Sequence, residues 1–420
     1  MKVLIIGSGV AGTACAQAMR RLDSHASITI LSEEPHLFYS KSLLAHCFSH
    51  SWGIARLALC GPDSYQRLKL KALTSVRAEE IDTDKKIVRA GDGQIYPYDR
   101  LLISTGASPN FPSNDIKGLD KKRVFGLRNF ADVVGIRACL DKLRAKKTDV
   151  RAVVIGGGLL GLETAYHLNQ AGLNISLVES QSRLLPTVIS EDLSRWLGLE
   201  ERFARHGYEL KLASQPVEIL GKEGVEAVSI AEGTKVTQLP ADIVLVATGV
   251  VPKVGLAQDC GIEVDHGIIT DERQQTSAPD ILAAGDVAQT KDLLTGDSSV
   301  FPIWPAAVEQ GRVAASNILG QDVQYKGGVN LNSFQFFDLP VCCLGLVELG
   351  NGAGREELVY QSQSPRVYQR ILIEDGYIVG ASLAGDISKA GAIYAWIREK
   401  RPVADKKEKL LEAISCSSWR

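Results

Sequence analysis

The sequence predicts an α/β protein in which two related strand–turn–helix–strand units precede a smaller α+β unit. Three observations predict this class. Two glycine-rich fingerprints begin at Gly7 and Gly156. Two buried apolar strands each end in Thr-Gly, at Gly106 and Gly249. After Gly320 the pattern changes to short strands separated by turn residues, which is typical of antiparallel sheet.

The first fingerprint covers residues 7–12 (GSGVAG) and follows the apolar run 3–6. The first glycine permits a tight turn, the second lets the backbone approach a pyrophosphate, and the third allows close helix–strand packing. An Ala-rich helix follows, and the apolar run 28–31 then leads to an acidic residue that suits a ribose diol. The pattern predicts a dinucleotide site at Gly7, Gly9, Ala11, Gly12 and Glu33.

The second fingerprint, residues 156–161 (GGGLLG), has the same context and predicts a second site at Gly156, Gly158, Gly161 and Glu179. A carboxylate at Glu179 would pair with the 2′-OH of NAD and repel a 2′-phosphate. Arg183, four residues later, could instead serve NADP. The acidic residue favours NAD(H). Two dinucleotides on one chain indicate a flavin and a nicotinamide, with hydride transfer between them.

Composition excludes several other classes. The chain has 420 residues, enough for two or three domains. A net charge of −2 gives no reason to expect nucleic acid, and no apolar run is long enough to span a membrane. The eight cysteines include no Cys-x-x-C and no Cys/His cluster with metal spacing, so no metal ligands are predicted. Because the apolar N-terminus forms a complete nucleotide-binding turn rather than a secretory signal, a cytoplasmic protein is expected.

The third unit is predicted to cover residues 321–420. Segments 334–339, 367–373 and 377–383 have the pattern of antiparallel strands, and Glu374-Asp375-Gly376 suits a hairpin turn between the last two. Segments 390–398 and 406–414 have helical patterns.

Five ordered motifs together resemble the FAD-dependent pyridine-nucleotide oxidoreductases over essentially the whole chain. They are the N-terminal fingerprint, YDRLLISTGASP, VVIGGGLLGLETA, the ATG at 247–249 and ILAAGDVA. The stretch YSKSLL at 39–44, with Trp304 in WPAAVEQG, resembles the rubredoxin and ferredoxin reductase branch. The C-terminal GASLAGDISKAG resembles the reductase modules of nitrite reductases. Within the family the chain resembles the FAD/NAD(H) subunits of phenylglyoxylate dehydrogenase and tungsten aldehyde oxidoreductase.

This resemblance implies two nested Rossmann-like dinucleotide-binding domains and a C-terminal α+β interface domain. The FAD-binding domain would be discontinuous, with residues 1–110 and 243–320. The NAD(H)-binding domain would cover 111–242 and the interface domain 321–420.

The resemblance also implies roles for individual residues. Glu163 and Lys41 would act near the contact between nicotinamide and flavin, although an acidic residue near a helix start is also explained by the helix dipole. Ser32 stands where many relatives carry the ribose-binding acid, which leaves Glu33 and Glu34 as alternatives. The remaining implied contacts to the cofactors are Val76, Arg77, Thr105, Gly106, Arg128, Gly249, Gly285, Asp286 and Trp304.

The sequence lacks the thiols that several branches of this family use. There is no Cys-x4-Cys after the first acidic strand, and Ser42 stands where other branches carry a single cysteine. Cys47 lies five residues further on. Electrons would therefore leave through an iron–sulfur partner protein or subunit. The alternatives are a stand-alone rubredoxin or ferredoxin reductase and an NADH-sensing flavoprotein similar to apoptosis-inducing factor.

Overall fold

The computed structural model describes residues 1–350 and 353–403, which form two compact units. The first unit contains Met1–Tyr39, Ala58–Ala107 and the described residues from Pro252 onward. The second contains Ser40–Leu57 and Ser108–Val251. The segment 40–57 thus belongs to the unit that carries the second fingerprint, and the three-domain division stays a prediction. The helix predicted at 406–414 lies outside the described residues.

Strands and helices are numbered in chain order. The strands are β1 (Lys2–Ile6), β2 (Ser27–Leu31), β3 (Leu70–Leu73), β4 (Ala78–Asp82), β5 (Ile87–Ala90), β6 (Ile95–Pro97), β7 (Arg100–Ile103), β8 (Ala107–Pro109), β9 (Val124–Phe125), β10 (Arg151–Ile155), β11 (Asn174–Val178), β12 (Glu209–Lys211), β13 (Gln215–Leu220), β14 (Ala227–Glu232), β15 (Lys235–Pro240), β16 (Ile243–Val246), β17 (Val250–Pro252), β18 (Ile268–Ile269), β19 (Ile281–Ala283), β20 (Ala288–Lys291), β21 (Ser298–Val300), β22 (Leu331–Phe336), β23 (Leu339–Gly345), β24 (Arg355–Gln363), β25 (Arg366–Glu374) and β26 (Tyr377–Ala384). The helices are α1 (Val10–Leu22), α2 (His46–Ser49), α3 (Ile54–Leu57), α4 (Pro62–Arg67), α5 (Phe130–Arg144), α6 (Leu159–Gln170), α7 (Glu191–Leu197), α8 (Leu199–Arg205), α9 (Gly255–Asp259), α10 (Trp304–Ile318) and α11 (Ala390–Glu399), with a 3-10 turn at Lys41–Leu43.

The first unit is built on a parallel sheet of order β19-β7-β1-β2-β3. Its central strand β1 is a run of apolar residues buried on both faces, as parallel strands usually are. Ile6 pairs with both Leu31 and Ile103, and Ala283 pairs with Ile103. The segments that follow β1, β2, β7 and β19 therefore leave the sheet at one edge, where ligands bind in open α/β sheets.

The second unit repeats this arrangement in a parallel sheet of order β12-β11-β10-β16-β9. Ile155 pairs with Val178 and with Val246, so the second fingerprint and Glu179 lie at the same edge. Helix α5 begins with a capping box, in which Asn129 and Asp132 each accept a hydrogen bond from the other's backbone N–H. An antiparallel sheet of strands β13, β14 and β15 completes this unit.

The C-terminal part of the first unit is an antiparallel sheet of order β22-β23-β26-β25-β24 with α11 packed on it. The turn predicted between β25 and β26 is present, with positive φ at Asp375 and Gly376 as a type I′ hairpin requires. The strand predicted at 334–339 is wrong, because the chain turns within it at Phe337, which has φ of 57°. Its apolar residues belong to two strands rather than one. The α/β fold with two parallel sheets and a C-terminal sheet is confirmed.

Among the described residues, no helix combines the length and the apolar character needed to cross a bilayer.

Candidate functional site

The first fingerprint forms a turn in which the helix packs directly on the sheet. A Cβ added to Gly12 would lie 2.1 Å from the Gly7 carbonyl oxygen and 2.7 Å from Ser104 Oγ. A Cβ added to Gly9, the N-cap of α1, would have no other atom within 4 Å. The close packing and the open N-cap fit a pyrophosphate on the free N–H groups of α1. Both features are those expected of a binding site for the pyrophosphate of FAD.

Gly285 and Asp286 are held beside this turn by α10. The Gly285 N–H donates to Gln310 Oε1 at 2.7 Å, and Gly285 has a positive φ of 85°. A Cβ at Gly285 would lie 2.9 Å from the Ala11 Cβ, so the segment passes directly over the start of α1. The half-buried Asp286 follows immediately. The structure therefore brings together the first fingerprint and the Gly285-Asp286 motif.

Trp304 is the first residue of α10. Its ring centroid lies 5.6 Å from that of Phe38, and 38% of the residue remains exposed. An aromatic pair with one exposed ring is suited to stack on a flat ring or to contact a partner protein.

The structure gives Ser32 and the two acidic residues after it separate partners. Ser32 directly follows β2, at the position that Glu179 occupies after β11, and its Oγ accepts a hydrogen bond from Ser8 at 2.9 Å. Glu33 is exposed and forms an ion pair with Lys253, whereas Glu34 accepts a hydrogen bond from the Tyr39 hydroxyl. Ribose binding by Glu33 stays a prediction.

Four further predicted FAD contacts lie on loops of the same unit. The Val76 N–H donates to the Ser32 carbonyl at 2.8 Å, which fixes the loop beside the end of β2. Thr105 Oγ1 donates to the Lys253 carbonyl at 3.0 Å, and the Lys253 N–H donates to the Gly106 carbonyl at 2.9 Å. Arg77 is exposed.

The second fingerprint has the same geometry as the first. A Cβ added to Gly161 would lie 1.9 Å from the Gly156 carbonyl oxygen, whereas one added to Gly158, the N-cap of α6, has nothing within 4 Å. Gly249 follows β16 with a positive φ of 99° and is tied to the neighbouring loop through the N–H of Asn110. This second open N-cap fits the pyrophosphate of NAD(H).

Glu179 is buried beside this fingerprint, with 8% of its surface exposed. Its carboxylate accepts hydrogen bonds from the N–H of Gly157 at 2.7 Å and the N–H of Gln181 at 2.7 Å. The Arg183 guanidinium donates to the carbonyls of Pro186 and Ile189, both at 2.9 Å. The Arg183 guanidinium is therefore already engaged with backbone carbonyls. The arrangement favours NAD(H), whose 2′-OH pairs with an acidic residue, over NADP(H), whose 2′-phosphate needs a free arginine.

Glu163 lies on α6 and is half-buried. Burial raises the pKa of its carboxyl to about 7. Helix α6 begins at Leu159 and has no acidic residue in its first turn, so Glu163 lies beyond the reach of the helix dipole. The helix dipole therefore does not account for Glu163, and its role near the reacting rings stays a prediction. Lys41, half-buried in the 3-10 turn, and Arg128, directly before the N-cap of α5, lie in the same unit, and their roles stay predictions.

The raised pKa of Glu163 gives a testable pH dependence. The folded protein keeps this proton up to about pH 7, whereas the unfolded chain loses it near 4.5. The proton that the folded protein holds more tightly therefore stabilises it fully below pH 4.5, and this stabilisation is lost as the pH rises through 7. Relative to the wild type, Glu163→Gln should gain about 3 kcal/mol at pH 8.5 and nothing near pH 4.5. Melting temperatures of the two proteins across this range measure the difference.

The matched control is Glu191→Gln, because Glu191 is an exposed glutamate at the start of α7 in the same unit. It should bring no gain in melting temperature at pH 8.5. A difference between Glu163→Gln and wild type that does not change with pH would contradict the assignment.

One cluster was missed by the sequence analysis, which found no Cys/His group with metal spacing. His46, His50 and His167 each place a ring nitrogen within 4.8 Å of the others. Burial, together with the neighbouring imidazoles, lowers the pKa of His167 to about 4. The four-residue spacing of His46 and His50 was visible in the sequence, but His167 joins them only through the fold.

Comparison with known proteins gives the family. Residues 1–311 match the model of the pyridine nucleotide-disulphide oxidoreductase family, and residues 331–401 match the rubredoxin NAD+ reductase C-terminal domain. The chain is 29% identical over 381 residues to subunit epsilon of the NADH-dependent phenylglyoxylate dehydrogenase of Aromatoleum evansii, covering 90% of this chain and 87% of that protein.

A second relative is longer than this chain. The nitrite reductase [NAD(P)H] of Bacillus subtilis is 28% identical over 419 residues, which is 99% of this chain and 49% of that protein. The chain thus spans about half the length of this relative.

Solved structures show the same fold. The ferredoxin reductase for the CYP199A2 system from Rhodopseudomonas palustris superimposes with a TM-score of 0.85 at 24% identity, covering 98% of this chain and 99% of that chain. With a family model matched over residues 1–311 and both fingerprints in place, the chain belongs to the pyridine nucleotide-disulphide oxidoreductase family and is an oxidoreductase that uses FAD and NAD(H).

Proposed function

We propose that the protein transfers electrons between NAD(H) and an iron–sulfur partner protein or subunit. Bound FAD supplies the chemistry, since a flavin exchanges two electrons with a nicotinamide and can release them singly. The chain's own residues bind and orient the two dinucleotides and control the acceptor. The flow can also run toward NAD reduction.

The observation that carries this proposal concerns two residues. Ser42 stands where other branches of the family carry a single cysteine, and Cys47 is the nearest thiol. Ser42 is exposed and carries a hydroxyl, which cannot form a disulfide. Cys47 is 1% exposed and its Sγ lies 4.0 Å from the Leu43 carbonyl oxygen. Burial raises the pKa of the Cys47 thiol, whereas thiol catalysis needs a thiolate. Neither residue is suited to accept electrons from the flavin.

The adjacent Cys342 and Cys343 do not form a redox pair either. They are consecutive residues of β23, so their side chains point to opposite faces of the sheet. Burial raises the pKa of Cys343 to about 12. The seven cysteines of the described residues are free thiols, which agrees with the reducing cytoplasm where we place the protein.

The C-terminal sheet supports a partner-binding role. Its family model is that of the rubredoxin NAD+ reductase C-terminal domain. Arg398 of α11 forms an ion pair with Glu309 of α10 and donates to the Gly327 carbonyl, so the sheet is tied to the helix that begins with Trp304. We propose that Trp304 and the region around 334–339 contribute to the docking surface. The side chains of Phe334 and Leu339 are buried, so in this proposal they would support the surface from beneath.

Within the site we assign binding roles to the two open N-caps and to the residues predicted around them. Gly9 and Gly158 would receive the two pyrophosphates, and Glu179 the ribose of NAD(H). Glu163, a carboxyl with a raised pKa, would hold or release a proton beside the reacting rings. Lys41 would contact the flavin.

The test compares electron acceptors. The FAD-loaded protein is mixed with excess NADH and either oxygen, a ferredoxin or a rubredoxin. We expect rapid bleaching of the flavin and faster turnover with an iron–sulfur acceptor than with oxygen. Cys47→Ser should retain wild-type turnover, because its buried thiol has no part in the reaction.

Two outcomes would end the proposal. Turnover with oxygen as fast as with every iron–sulfur protein tried would identify an oxidase. A loss on the order of a hundredfold in Cys47→Ser, with FAD still bound, would match removal of a catalytic group and identify a thiol mechanism.

The second candidate is a stand-alone rubredoxin or ferredoxin reductase, which the match at residues 331–401 favours. The first candidate predicts a permanent complex, as in the phenylglyoxylate dehydrogenase that contains the similar subunit epsilon. Isolation from the native source under mild conditions separates the two. Stoichiometric co-elution of a cluster-containing protein supports the subunit, and a single flavoprotein with high rubredoxin activity supports the reductase.

A further inference from the structure

The second unit contains a three-histidine cluster formed by His46, His50 and His167. His46 begins α2 and His50 is the residue after it, whereas His167 lies on α6. One ring nitrogen of each residue lies within 4.8 Å of the others. The ring centroids of His46 and His167 are only 4.1 Å apart. Three imidazoles thus lie side by side although they come from two separate segments of the chain.

The hydroxyl of Ser49 orients two of these rings. Ser49 Oγ lies 2.7 Å from His167 Nδ1 and 2.9 Å from His50 Nδ1, and it can donate its own proton to the His46 carbonyl at 3.4 Å. Ser49 then accepts from both Nδ1–H groups. In this tautomer Nε2 of the His50 and His167 rings carries a lone pair, and a hydrogen bond to the other ring nitrogen is how the partners of metal-bound histidines commonly fix their rings.

The surroundings hold the cluster in place. The Arg137 guanidinium donates to the carbonyls of Cys47 and His50, the latter at 2.9 Å, and so fixes the end of α2. The His46 ring stacks on Trp52 at 5.7 Å, with an angle of 4° between the planes. His167 is buried, His46 is half-buried and His50 is exposed. One side of the cluster is therefore open to solvent.

We infer that His46, His50 and His167 form a site for a divalent transition metal, with Zn²⁺ the ion that fits best. Neutral imidazoles suit zinc, nickel and copper rather than the hard ions Mg²⁺ and Ca²⁺. Three protein ligands leave a fourth position for water in a tetrahedral zinc site. Ligands bound to one zinc at about 2.0–2.1 Å lie closer together than 4.8 Å, so the three rings would move toward one another when the ion binds.

The metal would clamp two parts of the second unit. Helix α2 belongs to the segment 40–57, which also carries Lys41, and α6 carries Glu163 one helical turn before His167. Binding to both would hold the 40–57 segment against the helix of the second fingerprint. None of the three histidines is among the residues assigned to the dinucleotides, and the metal site does not depend on the proposed electron partner.

The test uses tag-free, FAD-loaded protein dialysed against a chelator. Zinc is then titrated in competition with a chromogenic chelator, and Co²⁺ is used as a spectroscopic probe. We expect one Zn²⁺ per chain, a tetrahedral Co²⁺ spectrum, and a melting temperature that zinc raises, since a ligand that binds the folded state stabilises it.

Variants separate this site from adventitious binding. His50→Ala removes an exposed ring and should weaken zinc binding by more than about 100-fold, and Ser49→Ala, which removes an outer hydrogen-bond partner, by about 10-fold. His206→Ala, at an exposed histidine elsewhere in the same unit, and Cys47→Ser, beside the cluster, should bind zinc as the wild type does. Metal-free His50→Ala should melt as the metal-free wild type does, which shows that the fold is intact.

Three results would overturn the inference. One is zinc affinity in His50→Ala equal to that of the wild type. Another is an equal loss in His206→Ala, which would indicate scattered surface binding. The last is loss of the site in Cys47→Ser, which would assign the metal to a thiolate instead.

Discussion

Gly12→Ala should produce a protein that retains no FAD and unfolds more easily even without the cofactor. The added Cβ would lie 2.1 Å from the Gly7 carbonyl oxygen and 2.7 Å from Ser104 Oγ, and backbone at that distance cannot yield without moving the strand. Overpacking of this kind costs about 1–3 kcal/mol. Differential scanning fluorimetry of the cofactor-free protein, with FAD release on denaturation, measures both effects.

Gly9→Ala provides the matched control in the same fingerprint. Nothing lies within 4 Å of its added Cβ, so the cofactor-free variant should melt as the wild type does. It should still lose FAD affinity, because this glycine is the one that lets the backbone approach a pyrophosphate. If Gly9→Ala binds FAD normally, or if cofactor-free Gly12→Ala is as stable as the wild type, the assignment of packing and ligand roles within this turn is wrong.

Glu179→Ala should shift the preference between NADH and NADPH by about 100-fold toward NADPH. Loss of a charge-assisted hydrogen bond to the ribose costs about 1.5–3 kcal/mol, which corresponds to about 10–150-fold in binding. Removal of the negative charge also relieves repulsion of a 2′-phosphate. The ratio of kcat/KM for the two donors, measured with a dye as acceptor, reports the shift.

Two further variants sharpen this test. Arg183→Ala should leave the ratio near that of the wild type, because the Arg183 guanidinium is already bound to the Pro186 and Ile189 carbonyls. Glu200→Gln removes a negative charge from α8 of the same unit. It tests whether loss of a charge elsewhere in the unit changes the ratio of kcat/KM for NADH and NADPH. An unchanged ratio in Glu179→Ala, or a wild-type enzyme that prefers NADPH, would refute the role of the acid.

The parallel sheets and their glycine turns could be predicted from the sequence because the signals are local. Each fingerprint places an apolar run, three glycines and a helix within about 20 residues, so the turn and the helix start follow from neighbouring residues. Gly161 shows why: its contact partner is the Gly156 carbonyl, five residues earlier. The same locality predicted the hairpin at Asp375 and Gly376.

Features that depend on distant segments were not predictable. The ion pair of Glu33 with Lys253 joins residues 220 positions apart. His167 reaches His46 and His50 only because 40–57 packs with the second unit. The strand predicted at 334–339 failed for another reason: a short apolar run does not show where a tight turn interrupts it. Periodicity identifies buried residues but not which segment covers them.

The second unit is built from two separate segments of the chain, 40–57 and 108–251, and this affects how the chain folds during synthesis. Residues 40–57 leave the ribosome before α6, and at about 5–20 residues per second the delay is of the order of ten seconds. During that time Leu44, Cys47 and Leu57, all buried in the finished protein, lack their final neighbours. The first unit waits longer still, since β19 and α10 are translated after the whole of the second unit. The apolar face that β19 and α10 cover in the finished first unit therefore stays exposed on the nascent chain until translation has passed residue 318.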